Sequence, residues 1–424
     1  MSQHRNSSAT AILPMKTQNR LSRSITRRRF LGQSVLTGAA AFVPAGLYGQ
    51  VANRKIRIGI AGGRFGLQFY WNEHPDCVVE AVTDLLPERR EKLMQTYQCA
   101  KSYPRLEEMV KDRNLDAIAV FTDGPLHFQH VTLALTHGKH VISAVPAVMA
   151  PSVAEGLDQA HKLYEKVRQS GLTYMMAETS VWRQEFITLR QMQAKGELGQ
   201  VISCDADYMH PGLRELYGTA QQPTWRYGVP PMFYPTHCTA FLTGLTGETL
   251  TRVTCQGWGN DDPICKRNAF SNNPFWNETA QFGTSKGTPF RVRVWWEAPV
   301  WGGEYAIWHT TKMTVDQRHG LRWLQEGTQG KDDAGFVLGP AKSSPLPDTK
   351  WWQTDMLPES MRHDSGHGGS HTFITHEFID SLLHNRRPLV DIATALNFTV
   401  PGIVAHQSAL KGGASLSIPQ FRQV

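Results

Sequence analysis

Residues 56–66 read Ile-Arg-Ile-Gly-Ile-Ala-Gly-Gly-Arg-Phe-Gly, and the fold turns on how this stretch is read. Ile56, Ile58, Ile60 and Ala61 make a short apolar strand that runs straight into Gly62-Gly63-Arg64-Phe65-Gly66. Glycines at such a point let the backbone approach a pyrophosphate, and a helix following the loop would offer it free N–H groups. Asp84 ends the next apolar run, 22 residues after Gly62. A carboxylate in that place meets the ribose 2′-hydroxyl and repels a 2′-phosphate. The spacing therefore predicts a dinucleotide site that takes NAD in preference to NADP. Aligned from Gly66 the loop is Ala-x-Gly-x-x-Gly, with Ala61 where the first glycine usually stands. A plain glycine turn would look the same, so strand, helix and Asp84 in register carry the reading together. Arg89 and Arg90 are expected inside the next helix and solvated.

Outward from this loop, strands and helices alternate. Further strands are expected at Val78–Val82, Ala100–Tyr103, Ala117–Phe121 and His140–Val145, with helices at Pro87–Tyr97, Pro125–His137 and Pro151–Ser170, and a closing strand at Leu172–Ala177. Short strands separated by helices indicate βαβ units and a doubly wound parallel sheet. Beyond a helix at Arg183–Lys195 the pattern changes. Runs rich in Val and aromatics (Val201–Tyr208, Thr251–Trp258, Phe290–Ala298, Tyr305–Thr310, Lys312–Val315) follow without regular helices between them and point to an antiparallel or mixed sheet. Residues 327–369 read as a long irregular loop, and helices are expected at His371–His384 and Thr394–Leu410. The fold class is an α/β Rossmann domain at 54–172 followed by an α+β domain at 173–424 with a large, mostly antiparallel open sheet. Open sheet faces of that size commonly pair, so a homo-oligomer is expected.

The 424-residue chain has 44 Lys and Arg against 37 Asp and Glu, a formal charge of +7. Its excess sits in residues 1–50, where Arg5, Lys16, Arg20, Arg23, Arg27, Arg28 and Arg29 meet no acidic residue. Setting those seven aside leaves a neutral body, which argues against a nucleic-acid partner. Thr26-Arg27-Arg28-Arg29-Phe30-Leu31 followed by the mildly apolar Ser34–Tyr48 reads as a twin-arginine (Tat-type) leader, with Val43 and Ala45 at the small positions of a cleavage site. The expectation is a folded protein exported to the periplasm or another extracytoplasmic space, with no stable membrane insertion. Cys77, Cys99, Cys204, Cys238, Cys255 and Cys265 form neither a C-x-x-C pair nor a zinc pattern and are expected as buried thiols.

The segments "IRIGIAGGRFG" (56–66), "VVEAVTDLLPERREKL" (78–93), "DAIAVFTDGPLHFQHVTLALTHGKHVI" (116–142), "KGELGQV" (195–201) and "HEFIDSLLHNRRPLVDIATALN" (376–397) together resemble the glucose-fructose oxidoreductase / inositol dehydrogenase (Gfo/Idh/MocA) family. The resemblance implies NAD(P)-dependent chemistry on sugars and related polyols, and a cofactor site that adds Thr122, Pro125, His127 and Pro146 to Gly62, Gly63, Arg64, Phe65, Gly66 and Asp84. The family commonly follows its Gly-Lys-His-Val strand with Glu-Lys-Pro, where this chain has Ala144-Val145-Pro146. The lysine that assists proton transfer is thus Val145. Tyr234-Pro235-Thr236-His237 and "HGGSHTFITHEFID" (367–380) resemble the NAD-dependent glycosidase branch of the superfamily, where transient oxidation of the sugar labilises the glycosidic bond.

With Val145 unable to move a proton, His237 is the expected general base, since an imidazole titrates near neutral pH. Tyr234, three residues earlier, would share its helical face and relay the proton. Glu178, at the end of a strand facing the cofactor cleft, is expected to contact the nicotinamide ribose, to serve as an acid, or to cap the next helix. His210, Arg226, Tyr227 and His367 are the expected sugar contacts, because polar-aromatic loops stack on sugar rings and bond their hydroxyls. His363, His367, His371 and His376 have helical spacing, but Gly366, Gly368 and Gly369 interrupt it, and no metal site is assigned. The rival from another class is a protein that holds nucleotide and sugar without turnover.

Overall fold

The structure, a computed structural model, describes residues 55–298, 302–325 and 341–423. The leader expected at 1–50, and with it the export signal, lies outside the described residues. Six strands, β1 (Ile56–Ala61), β2 (Cys77–Thr83), β3 (Ser102–Tyr103), β4 (Ala117–Val120), β5 (His140–Ser143) and β6 (Tyr174–Met176), form one parallel sheet in the order β3-β2-β1-β4-β5-β6. The central strand β4 is buried on both faces, which is why it reads as an unbroken apolar run, and β1 is buried from Ile58 onward. The crossovers carry α1 (Pro87–Tyr97), α2 (Leu106–Met109), α3 (His127–Thr136) and α4 (Val153–Ser170). Local chemistry sets their ends. Pro87 opens α1, the Ser152 hydroxyl accepts the Glu155 N–H at 3.3 Å to start α4, and Gly171 closes it in the left-handed conformation.

The second sheet has nine strands. After α5 (Gln184–Ala194) come β7 (Val201–Met209), α6 (Thr236–Thr246), β8 (Leu250–Trp258), β9 (Asn277–Thr284), β10 (Phe290–Trp295), β11 (Gly303–Thr310), β12 (Thr314–Asp316), β13 (Leu321–Gln325) and β14 (Ala341–Pro345). The chain then forms α7 (Gly366–Leu383), α8 (Ile392–Leu410) and β15 (Leu416–Ser417). The order is β14-β13-β12-β11-β7-β10-β9-β8-β15, antiparallel except for the parallel pair β7/β10. The six cysteines are buried.

Two expectations are corrected. The stretch 327–369 is not one irregular loop, because β14 adds an edge strand to the second sheet and the residues before α7 form short 3-10 turns at Trp351–Gln353 and Glu359–Met361. More consequentially, no α-helix follows the glycine loop. Only Leu67–Asp76 separates Gly66 from β2, too little chain for a helix and its return. The backbone instead makes two 3-10 turns, Phe65–Gln68 and Trp71–Glu73, around a left-handed Tyr70.

Helix α7, from the other end of the chain, covers this bare flank. His371 stacks on Phe69 at 4.7 Å, the Thr375 hydroxyl donates to the Phe69 carbonyl, and the rings of His74 and His376 meet at 3.0 Å. The Asp76 N–H donates to His74 Nδ1, so His74 Nε2 carries the hydrogen given to His376. Burial, aided by His376, lowers the His74 pKa to about 4, which keeps the pair neutral. Replacing Thr375 by Val leaves the Phe69 carbonyl without this donor and is expected to cost about 1–3 kcal/mol. Thermal unfolding checks this, and an unchanged Tm would show that α7 does not anchor the turn.

Candidate active site

A cleft of about 1600 Å³ runs from the glycine loop to the second sheet. Gly62, Gly63, Arg64, Phe65 and Asp84 form one end of its wall, Thr122, His127 and Val145 the middle, and His210, Arg226, Tyr234, His237 and His367 the other end. The side chain of His237, on the first turn of α6, is brought against the end of β6. Its Nδ1 donates to Glu178 Oε1 at 2.8 Å. Glu178 has no exposed surface, and its Oε1 also accepts the Ser180 N–H at 3.0 Å, so it caps the 3-10 turn that follows while holding the imidazole. It acts through His237 and is not part of the cleft wall.

Glu304, near the start of β11, was not anticipated. The antiparallel register of β7 and β11 sets it opposite Tyr208. Its carboxylate accepts from Arg183 at 2.6 Å and from the Ser180 hydroxyl at 3.0 Å, and stands 3.6 Å from His237 Nδ1. Gly302-Gly303 marks a turn in the sequence, but nothing local says which strand Glu304 will face. Tyr208 was likewise missed; its ring packs edge-on to His237 at 5.1 Å and lines the cleft.

The electrostatics follow from this enclosure. Burial pushes the His237 pKa down, but the carboxylates of Glu178 and Glu304 together outweigh burial and hold it at about 9. Burial likewise works to raise the Glu178 carboxyl, and the His237 charge and hydrogen bond bring it below its ordinary value. His237 is therefore an imidazolium at neutral pH, not the near-neutral base its type suggested. With Nδ1 committed to Glu178, Nε2 is the nitrogen left to exchange a proton with the cleft. Tyr234 precedes α6, so it shares no helical face with His237; the rings lie 6.3 Å apart. Burial raises its phenol, and Arg226 opposes that as charge and hydrogen-bond partner.

The remaining expected residues divide clearly. Asp84 accepts the Gly63 N–H at 2.7 Å and the Leu86 N–H at 2.9 Å, which places its carboxylate at the glycine loop. Arg90 donates to the Asp84 carbonyl at 2.6 Å, so it braces the strand end. His127 bridges the carbonyls of Pro146 (2.7 Å) and Thr122 (3.0 Å), tying together the ends of two strands. Gly66, Pro125 and Pro146 lie behind the wall. Gly62 adopts φ +109°, and a Cβ there would meet the Phe121 carbonyl at 2.3 Å. Arg226 lies 4.0 Å over the Trp225 ring on the cleft side, while Tyr227 packs against the core away from the cleft. His367 lines the cleft in a left-handed turn with Gly368 and Gly369, but His363 pairs with Glu73 and His376 with His74. Lys139, just before the strand that leads to Val145, is buried and donates to the carbonyls of Asp112 and Leu115.

A six-stranded parallel sheet with a glycine loop and Asp84 at the carboxyl ends of its strands, facing a mixed sheet across a cleft, defines a two-sheet dinucleotide-binding oxidoreductase architecture. Residues 56–178 match the family described as "Oxidoreductase family, NAD-binding Rossmann fold". Along nearly its whole length it is similar to a glycosyl hydrolase family 109 protein of Streptomyces coelicolor, at 21% identity over 93% of this chain and 87% of that protein. A D-xylose 1-dehydrogenase (NADP(+)) of Hypocrea jecorina is 35% identical over 26% of each chain. The fold is also that of levoglucosan dehydrogenase in complex with NADH and levoglucosan, with a TM-score of 0.68 at 14% identity over 87% of this chain and all of that one. The glycine loop, Asp84 and the length of the cleft fit a bound NAD.

The raised His237 value fixes a stability signature. Its folded pKa of about 9 lies above the ordinary 6.5, so its contribution is complete below about pH 6.5 and is lost as pH rises through 9. The Tm advantage of the wild type over His237→Gln is expected to shrink across that interval. An advantage independent of pH from 6.5 to 9 would show that the pair is not ionised.

Proposed function

We propose that this protein exchanges hydride between a bound nicotinamide nucleotide and a hydroxyl-bearing carbon of a sugar or sugar-derived polyol, with His237 as the residue that moves the hydroxyl proton. The observation that carries this reading is the 2.8 Å Glu178–His237 pair in a cleft shared with the glycine loop. The nucleotide would supply hydride acceptance and donation; Gly62, Gly63, Arg64, Phe65, Asp84 and Thr122 would hold it. His237 Nε2 gives or takes the proton, Glu178 and Glu304 fix the ring and stabilise its cationic form, and Arg226, His210 and His367 bond substrate hydroxyls. The sugar substrate is supported by the names of the relatives above and by the polar-aromatic wall. Because His237 starts protonated, carbonyl reduction is favoured at neutral pH, and kcat/KM for alcohol oxidation is expected to rise with pH towards about 9.

A second reading rests on a specific observation. A relative aligned over most of the chain is a glycosyl hydrolase family 109 protein, and Val145 stands at the usual lysine. An imidazolium that can protonate a departing glycosidic oxygen suits a sugar oxidised and reduced again within one turnover. The twin-arginine segment at 26–31 supports the further proposal that the enzyme works outside the cytoplasm.

The test is to add candidate sugars, polyols and aryl glycosides to the purified protein with NAD and follow both reduced nicotinamide absorbance and phenol release. Net reduction supports the dehydrogenase; phenol release without net reduction supports the glycosidase; neither with any ligand favours a binding protein without turnover. His237→Ala is expected to lower turnover roughly 10²–10⁴-fold with NAD binding near normal, and Tyr234→Phe to cost less. Full turnover in His237→Ala would move the proton transfer elsewhere.

A further inference from the structure

The glycine loop lacks what usually neutralises a pyrophosphate. The element after it is a four-residue 3-10 turn, which has no helix dipole to offer. Two of the loop's own donors are also spent inside the protein: the Gly62 N–H on the Thr83 carbonyl at 3.0 Å and the Gly63 N–H on Asp84 at 2.7 Å. Helix α7, which covers the flank, reaches the loop through Phe65, whose ring packs edge-on against His367 at 5.5 Å and His371 at 5.7 Å. An aromatic contact of this kind brings no N–H groups to a phosphate. Asp84, moreover, adds negative charge at the same place.

Arg64 occupies the gap. It is the residue that begins the 3-10 turn, its side chain is exposed and lines the cleft, and it has no ion-pair or hydrogen-bond partner among the described residues. Arg89, Lys92 and Arg105 also line the cleft, and Arg89 packs against Gly63, but they belong to α1 and the start of α2, whereas Arg64 alone of the four is part of the loop itself. We propose that the Arg64 guanidinium stands in for the missing helix N-terminus and pairs with the pyrophosphate of the bound dinucleotide. A planar fork of N–H donors suits two phosphoryl oxygens at once. Binding at this end of the cleft is then a matter of a side-chain charge and is screened by salt, where a buried helix dipole would be less so. The inference rests on the cleft being a dinucleotide site and assigns how that site holds its most charged part.

Binding, independent of turnover, tests it. Equilibrium dialysis of NAD, ADP and adenosine against the wild type, Arg64→Ala and Arg64→Lys separates the pyrophosphate from the nucleoside. Arg64→Ala is expected to weaken NAD and ADP roughly 10- to 100-fold and to leave adenosine unchanged, with a shallower salt dependence. Arg64→Lys, which keeps the charge and loses the fork, is expected to recover part of the loss. As the side chain is exposed, the Tm should not move. Equal binding of NAD and ADP by wild type and Arg64→Ala, or an equal loss of adenosine, would overturn the assignment and leave the dinucleotide reading standing. A wild type that binds none of the three would overturn both.

Discussion

A carboxylate with no exposed surface must find a cation or give up its charge, and Glu178 finds His237. The two partners come from different parts of the chain: Glu178 ends the parallel sheet at β6, and His237 opens α6 beneath the second sheet. Glu304, from β11, closes the group through Ser180 and Arg183. The ion pair therefore joins the two sheets beside the cleft that His237 lines. Removing either partner would strand a buried charge, so the arrangement is both a structural clamp and the source of the unusual basicity of His237. Two carboxylates facing one imidazole make a resting proton donor out of a residue type that is ordinarily neutral at this pH.

The opposite end of the cleft is shaped by a shortage of chain. With ten residues between the glycine loop and β2, the parallel sheet loses the helix that normally flanks its first strand, and the C-terminal α7 takes the vacated surface. Three left-handed residues in a row, His367-Gly368-Gly369, let the chain turn into α7 so that His367 reaches the cleft while His371 stays behind on Phe69. One helix thus supports the nucleotide end and contributes to the substrate end. The glycines that broke the helical histidine spacing in the sequence are the ones that make this turn.

The parallel sheet was legible because its signals are local: apolar runs, glycine punctuation and an acidic residue at a fixed distance. The placing of Asp84 and Arg64 at the glycine loop is legible for the same reason. The missing helix was hidden behind the strength of the glycine motif, although counting the residues from Gly66 to Cys77 would have exposed it. Glu304 and Tyr208 were not legible, since their place depends on the register of β7 with β11, strands separated by about a hundred residues. The pKa of His237 was misjudged for a related reason: residue type fixes a starting value, and only long-range packing decides how many carboxylates surround it. Tyr227 reads as well as Arg226 in sequence, and only the turn's geometry turns one to the cleft and the other to the core.

The account stands on His237 being a cation held between Glu178 and Glu304 in a closed site. Nitrogen-15 NMR of histidine-labelled protein reads this directly, with His237→Gln used to assign the resonances. The account predicts two protonated ring nitrogens at neutral pH and a titration centred near pH 9 that moves to lower pH in Glu304→Gln. A His237 ring that is neutral at pH 7, or that titrates at its ordinary value, would contradict it.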